Sequence, residues 1–334
     1  MPPNETDRSH RERWVTRGLD AEALSALTEK LPPSQLWSLL LWVMEQRTAR
    51  RAASAVQHQW VTDRFVKPCV IDQRILLALD TELFATAHDF EGIELSPLAP
   101  LASCSAVALT TQNRTVTTVR GTEVVSDPTN VLALECARRL REDPSRRIRL
   151  ATSHRCVRAQ PYPDLPGFAA HFRLFCLATA GHETADQALV VDSMSHHIRT
   201  HLAGLDRLER CGYRFPDRFV TLRSTPEREQ IARRIAAAVP GVRVVHEPLT
   251  QTYYNGGLRF LINAGSIHGD GIPLIDGGSF DWVGTLAANR KLVFVASCIG
   301  SQIAAFAFRP VPVTPANAGV HTLVQMDSRV RGSD

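Results

Sequence analysis

Several common signatures are missing from this chain of 334 residues. The longest apolar run near the start, Leu36–Met44, is broken by Ser38 and falls well short of the roughly 20 residues that span a bilayer. No charged-then-apolar leader opens the chain, so a cytoplasmic protein with no membrane association is expected. The seven cysteines, at 69, 104, 136, 156, 176, 211 and 298, include no Cys-x-x-Cys pair. Such an odd, irregular set predicts reduced, mostly buried thiols and argues against zinc sites and a disulfide framework. Neither Gly-x-x-x-x-Gly-Lys-Ser/Thr nor Gly-x-Gly-x-x-Gly occurs, which removes the two commonest phosphate-binding loops. Glycine is absent between Gly18 and Gly92, predicting a helical and relatively rigid opening. No charge sign dominates: the formal net charge is +4 and the arginines are dispersed, unlike the concentrated basic patch of a nucleic-acid binder. What remains, 44% hydrophobic and 22% charged residues, is the composition of an ordinary globular protein.

The pattern divides the chain into a helical N-terminal region (1–66), a mixed core (67–309) and a proline-marked tail (310–334) expected to be disordered and dispensable. Residues 1–19 are polar and expected to fray. Asp20 caps a helix Ala21–Lys30, which Pro32 and Pro33 end. A second helix is predicted from Ser34 to about Arg64. Its stripe of Leu36, Leu39, Leu40, Val43 and Met44 is read as core-facing. Ile71–Ala87 forms a third, with Ile75, Leu76, Leu79, Leu83 and Phe84 on one face. The period then shortens to two, predicting strands at Phe90–Leu98, Ala106–Thr110 and Arg114–Arg120. Asp127 followed by Pro128 signals a helix start, with Thr129–Arg141 helical. Strands Arg147–Arg158 and Ala170–Thr179 flank a proline-rich loop. Within 184–247 a long helix (Thr184–Glu209) precedes a small β-α-β unit: Phe219–Arg223, Pro226–Ala238 and Val242–His246. A turn at Asn255-Gly256-Gly257, two more strands and a helix Gly300–Phe308 complete the folded part.

Two further groups invite a chemical reading. His197 and His201 are four apart on a helix, a spacing that can ligate a metal. No third ligand accompanies them, so a solvated face or a subunit contact is expected and no metal site is assigned. Cys298 has the chemistry of a nucleophile. Without an identifiable histidine and acid partner it is read as a small buried residue.

Four segments in order then take on a joint meaning. Helix Ile71–Ala87 is followed by Phe90-Glu91-Gly92-Ile93-Glu94-Leu95-Ser96-Pro97. Arg155-Cys156-Val157-Arg158, the proline-rich loop and Phe172-Arg173-Leu174-Phe175 come next. Thr252-Tyr253-Tyr254-Asn255 precedes Asp276-Gly277-Gly278-Ser279-Phe280-Asp281. Ala296-Ser297-Cys298-Ile299-Gly300-Ser301-Gln302-Ile303 comes last. The series resembles motifs 1, 2 and 3 of a class II aminoacyl-tRNA synthetase core, with the Asp-Tyr-Tyr-Asn and Gly-Gly-Arg-Tyr-Asp pair of the histidyl-tRNA synthetase branch. That branch includes the regulatory subunit of ATP phosphoribosyltransferase. The resemblance implies an α+β fold, an antiparallel sheet flanked by helices with a helical N-terminal unit attached. It also implies a homodimer through Ile71–Pro97.

By the same resemblance, Arg155 matches the catalytic motif 2 arginine. Arg155, Arg173 and Phe175 would hold ATP, with magnesium if ATP is used, and Phe175 would stack on the adenine. Asp127 and Thr129 match the Glu-x-Thr that receives the ligand's amino group, although Asp127 equally suits a helix cap. Tyr253, Tyr254, Gly277, Gly278 and Asp281 would complete the amino-acid pocket. If Tyr253 and Tyr254 lie in a strand, only one of them can face it. The departures concern phosphate binding. Ile303 and Leu249 stand where two arginines are expected, Gln302 and Val157 where glutamates are. Phe280 replaces a tyrosine.

The expected function is accordingly a synthetase-like paralogue without an anticodon-binding domain, for which too little chain follows Phe308. It would bind an amino acid or related small ligand, with weak or no adenylation, and act as a regulatory protein with a partner enzyme. The alternative is an active ATP-dependent ligase that passes an aminoacyl adenylate to a carrier or small amine. Arg259 or Arg290 would then have to replace the missing cations. A tRNA-charging role is disfavoured.

Overall fold

A computed structural model of the chain describes residues 14–162, 167–266 and 271–310. Residues 1–13 and the expected tail from residue 311 onward lie outside the described residues. Strand β5 (His171–His182) is buried continuously from Leu174 to Gly181 because both of its faces are covered, and β4 (Ile148–Val157) pairs along it. They belong to an eight-stranded mixed sheet of order β1-β4-β5-β10-β9-β8-β6-β7. The remaining strands are β1 (Glu91–Gly92), β6 (Phe219–Ser224), β7 (Arg243–Pro248), β8 (Leu258–Gly265), β9 (Gly271–Phe280) and β10 (Leu292–Gly300). A separate two-stranded ribbon joins β2 (Leu98–Pro100) and β3 (Thr122–Val124).

Every interior pair is antiparallel, and the outermost pairs β1–β4 and β6–β7 are parallel. The β6–β7 pair is the expected β-α-β unit, since parallel neighbours need a crossover. The crossover helix is Glu229–Ala237.

Each sheet face has its own core. On one, helix α4 (Gln73–Thr86) supplies Leu79 and Leu83. Helix α6 (Ala188–Arg210) adds Met194, Ile198 and Leu205 over Phe175, Leu177, Phe260 and Ile262. On the other, helix α5 (Pro128–Glu142) lays Leu132, Ala133 and Cys136 over Leu150, Ala178 and Phe294. Asp127 caps α5 and Pro128 opens it, as the sequence predicts.

Several segments depart from expectation. Phe90–Leu98, expected as one strand, is a strand of the large sheet only at Glu91–Gly92, and Leu98 belongs to the ribbon. Ala106–Thr110 does not pair as a strand, and Arg114–Arg120 makes only an isolated antiparallel bridge, Thr117 with Glu123. The chain from 101 to 115 instead winds around the buried carboxylate of Glu123. That group accepts from Ala102 N at 3.0 Å, Cys104 N at 2.9 Å and Gln112 Nε2 at 2.7 Å. A carboxylate that gathers donors this way overrides local alternation.

The long N-terminal helix is two helices, α2 (Pro33–Thr48) and α3 (Ala53–Thr62). Arg51 lies between them and reaches Gln59 Oε1 at 2.6 Å. The stripe of α2 is not core: neither helix buries a residue, and Leu39, Trp42, Met44 and Trp60 are exposed. Trp37 instead packs on Gly121, where a Cβ would come within 3.0 Å of the indole nitrogen. No helix of the described residues is long and apolar enough to cross a membrane.

His197 and His201 are not on a solvated face. Both are buried beneath the sheet. His197 bonds Thr179 Oγ1 through Nε2 and Ser297 Oγ through Nδ1, each at 2.9 Å. His201 Nε2 meets the same Ser297 hydroxyl at 2.8 Å. A hydroxyl has one proton and two acceptor sites, so Ser297 can donate to at most one of the two imidazoles. Burial holds His197 well below the ordinary imidazole value and pushes His201 down to about 3.

In the unfolded chain both imidazoles take up protons below about pH 6.5. In the fold they stay neutral down to far lower pH. Stability is therefore full above pH 6.5 and declines as pH falls toward 3, by about 1.4 kcal/mol per pH unit for each imidazole. Urea unfolding at pH 8 and pH 5 should show this fall, and His201→Gln should flatten it. A pH-independent midpoint would contradict the assignment.

Candidate functional site

A cavity of about 370 Å³ opens on the α5 side of the sheet, at the ends of β4, β5, β9 and β10. Its floor depends on two glycines of β9. A Cβ on Gly277 would meet Ser297 Cβ at 2.4 Å and the Phe260 ring at 2.6 Å. One on Gly278 would meet the Leu258 carbonyl and Tyr254 Cδ1 at 2.5 Å each. Only glycine lets Tyr254 lie flat on this strand. Gly277 lines the cavity; Gly278 makes room for its wall.

Tyr253 and Tyr254 lie in a turn, not a strand, so both rings face the cavity, with centroids 5.1 Å apart. Phe280 and Trp282 back them, stacked at 4.0 Å. Burial raises both phenols above their ordinary values. Tyr254 Oη donates to Asp276 Oδ1 at 2.7 Å. Arg259 forks onto the same carboxylate at 3.0 and 2.8 Å, with its guanidinium 4.7 Å from the Tyr254 ring centroid. Asp281 is exposed and outside the cavity. It ties the turn together, accepting from Asn255 Nδ2 while its amide donates to Asn255 Oδ1 at 3.0 Å.

The opposite wall begins with Asp127. Its Oδ1 accepts from Thr129 N at 3.1 Å and Thr129 Oγ1 at 2.7 Å, while Oδ2 accepts from Arg158 Nη2 at 3.2 Å. Arg158 also donates through Nε to Ser126 O at 2.8 Å and lies over the Phe172 ring, 4.9 Å from its centroid. Arg173 lines the cavity but reaches back to Asp80 Oδ2 at 2.8 Å. Arg114 enters from the segment wound on Glu123. It has no acidic partner among the described residues, and its Nε is buried without a hydrogen bond. Gln302 and Ile303, from the first turn of the helix Ser301–Ala307, close the remaining side. The Gln302 Nε2 is likewise buried and unpartnered. Among the described residues no group of three His, Cys, Asp or Glu could hold a metal. With both cavity carboxylates already engaged by arginines, the donor set does not fit a metal-bridged triphosphate.

Arg155 and Phe175 lie outside the cavity. Arg155 donates to His171 Nδ1 at 2.9 Å and reaches Gln302 Oε1 at 3.5 Å. Phe175 is 1% exposed and meets Phe84 edge-on at 4.9 Å. The reason is strand parity. Moving three residues toward the hairpin tip on each strand reaches Arg158 and Phe172, and an odd step exchanges the sheet faces. The signal in the sequence was a second arginine two residues before a polar side chain, Arg158-x-Gln160. Both of those residues line the cavity. Arg114 carried no sequence signal, because it stands in a segment whose path is set by the distant Glu123 carboxylate.

No protein-family model and no curated protein sequence matches the chain. Solved structures do. An ATP phosphoribosyltransferase regulatory subunit/histidyl-tRNA synthetase from Bacillus halodurans matches with a TM-score of 0.54 and 12% identity over 72% of this chain and 82% of that one. Apo histidyl-tRNA synthetase from S. aureus gives 0.53 and 11%, over 70% of this chain and 66% of that one. A histidine–tRNA ligase subunit from Alicyclobacillus acidocaldarius gives 0.52 and 13%, over 71% and 95%. At such identities the likeness is one of fold. The chain has the α+β fold of the class II aminoacyl-tRNA synthetase core.

Gly278→Ala should cost about 1–3 kcal/mol or more, because the Leu258 carbonyl it meets is backbone and cannot turn aside. Denaturant unfolding measures this. An unchanged midpoint would contradict the packing described.

Proposed function

We propose that the chain is a class II synthetase-like paralogue that binds an amino acid or related small ligand and forms an adenylate weakly or not at all. One observation carries this reading: the cavity's charges are distributed for an amino acid and not for a triphosphate. Asp127 keeps lone-pair capacity beyond its three bonds and suits an ammonium group. Arg114, without an acidic partner, suits a carboxylate.

On the phosphate side Ile303 lines the wall and Leu249 packs against the apolar core. Each absent arginine removes on the order of 2–4 kcal/mol of transition-state stabilisation. Arg259 is no substitute, since its fork is spent on Asp276. Arg290 is exposed and outside the cavity. Phe172 offers a stacking surface for a base, worth roughly 1–3 kcal/mol, so ATP can bind without reacting. The ligase alternative gains nothing from this arrangement.

Calorimetric titration with each amino acid tests the reading. Saturable heat is expected with at least one, histidine or a polar relative first. It should be lost in Arg114→Ala and Asp127→Ala while both variants keep their circular dichroism. No heat with any amino acid would overturn the proposal.

A cytoplasmic, regulatory role beside a partner enzyme completes the proposal. The division into a helical region (1–66) and a core (67–309) is supported by the absence of buried residues in helices 33–48 and 53–62. For the homodimer, α4 and the segment after it expose Leu77, Phe84 and Leu98 at 50%, 36% and 42%. Light scattering at micromolar concentration should give twice the mass of one chain. A monomer would remove this part of the proposal.

A further inference from the structure

The sheet sets four side chains in one transverse row. Thr152 on β4 stands opposite Cys176 on β5, Cys176 opposite Cys298 on β10, and Cys298 opposite Asp276 on β9. Directly opposed residues point to the same face, so both thiols are on the cavity side. Cys298 and Asp276 line the wall, and Cys176 is buried just behind. The two sulfurs are 2.9 Å apart. The other buried thiols have different neighbours: Cys104 meets Thr110 Oγ1 at 2.7 Å and Cys156 meets His154 O at 3.8 Å.

We propose that Cys176 and Cys298 are a reversible oxidation site, closed to a disulfide by a small hydroperoxide that enters the cavity and reopened by a dithiol. The inference stands on thiol geometry alone and does not depend on the ligand reading.

Two features order the steps. Cys298 is the thiol in the cavity wall, and the hydrogen bond from Cys176 stabilises its thiolate. Burial and Asp127 outweigh that bond and keep Cys298 above the ordinary thiol value. Burial raises Cys176 further. Cys298 is therefore the attacking sulfur, and the reaction is slow at neutral pH because little thiolate is present. The thiolate attacks one peroxide oxygen and the O–O bond breaks. The leaving hydroxide takes the thiol proton as water, and Cys298 becomes a sulfenic acid. The Cys176 sulfur then attacks the Cys298 sulfur. The S–O bond breaks, and hydroxide leaves as water with the Cys176 proton. The two sulfurs give up two electrons in all, and one hydrogen peroxide becomes two waters.

The test uses the full chain with Cys69→Ser and Cys211→Ser, which removes the exposed Cys211 and the half-buried Cys69. After millimolar hydrogen peroxide the protein is unfolded, alkylated and mapped by peptide mass. The expected result is two fewer alkylated thiols, a linked peptide pair containing residues 176 and 298, and full recovery after dithiothreitol. The unmodified chain should yield the same linked pair. In Cys298→Ser the thiol of Cys176 should stay alkylatable. The proposal is overturned if all the thiols stay reduced, if another pair is linked, or if Cys298 reaches a sulfonic acid without ever linking.

Discussion

The Asp127 carboxylate joins the fold to the cavity. One oxygen caps α5 and takes the Thr129 hydroxyl; the other holds Arg158 against Phe172. The two tasks differ in weight. A lost cap costs about 1 kcal/mol. A partly buried arginine left without its counter-charge costs several times that, about 3–5 kcal/mol when the pair is fully buried. Arg158 is 19% exposed, so its loss falls below the upper end. The end of β4, the orientation of Phe172 and the start of α5 all meet at this one side chain.

That constraint explains why the site is asymmetric. Arg158 is committed to Asp127, Arg259 to Asp276 and Arg173 to Asp80. Two of the three arginines that line the cavity, and Arg259 beside it, thus neutralise acids of the protein itself. Among the described residues Arg114 is the lining arginine without an acidic partner. A single unpaired cation matches one carboxylate, whereas an activated phosphate chain needs several cations acting together. The Gly277–Gly278 pair lets the chain approach closely, and the Asp276–Arg259 pair holds Tyr254 in the cavity wall.

Much of the fold was legible because it follows from local rules. The Asp127–Pro128 helix start, the apolar face of 73–86 and the β-α-β unit each came from periodicity and capping. What was not legible has a common cause, in contacts that no local pattern records. The segment 101–115 obeys Glu123, a buried carboxylate whose partners are distant in sequence. The stripe of α2 has the spacing of a core helix, yet among the described residues none of it is buried. His197 and His201 look polar on a helical wheel, but Thr179 and Ser297 satisfy them from the sheet. Tyr253 and Tyr254 both line the cavity, presented by a turn and not by a strand. Arg155 and Phe175 were chosen three residues from the cavity-facing positions. Residue type could not separate Arg155 from Arg158, because face parity depends on where the hairpin turns.

The central claim is that this fold keeps an amino-acid pocket while lacking the cations for activation. The most direct measurement is amino-acid-dependent exchange of labelled pyrophosphate into ATP, run with each amino acid on the unmodified chain. The account predicts no exchange above the protein-free background with any of them. Robust exchange with even one would contradict it and show that the cavity charges serve catalysis after all.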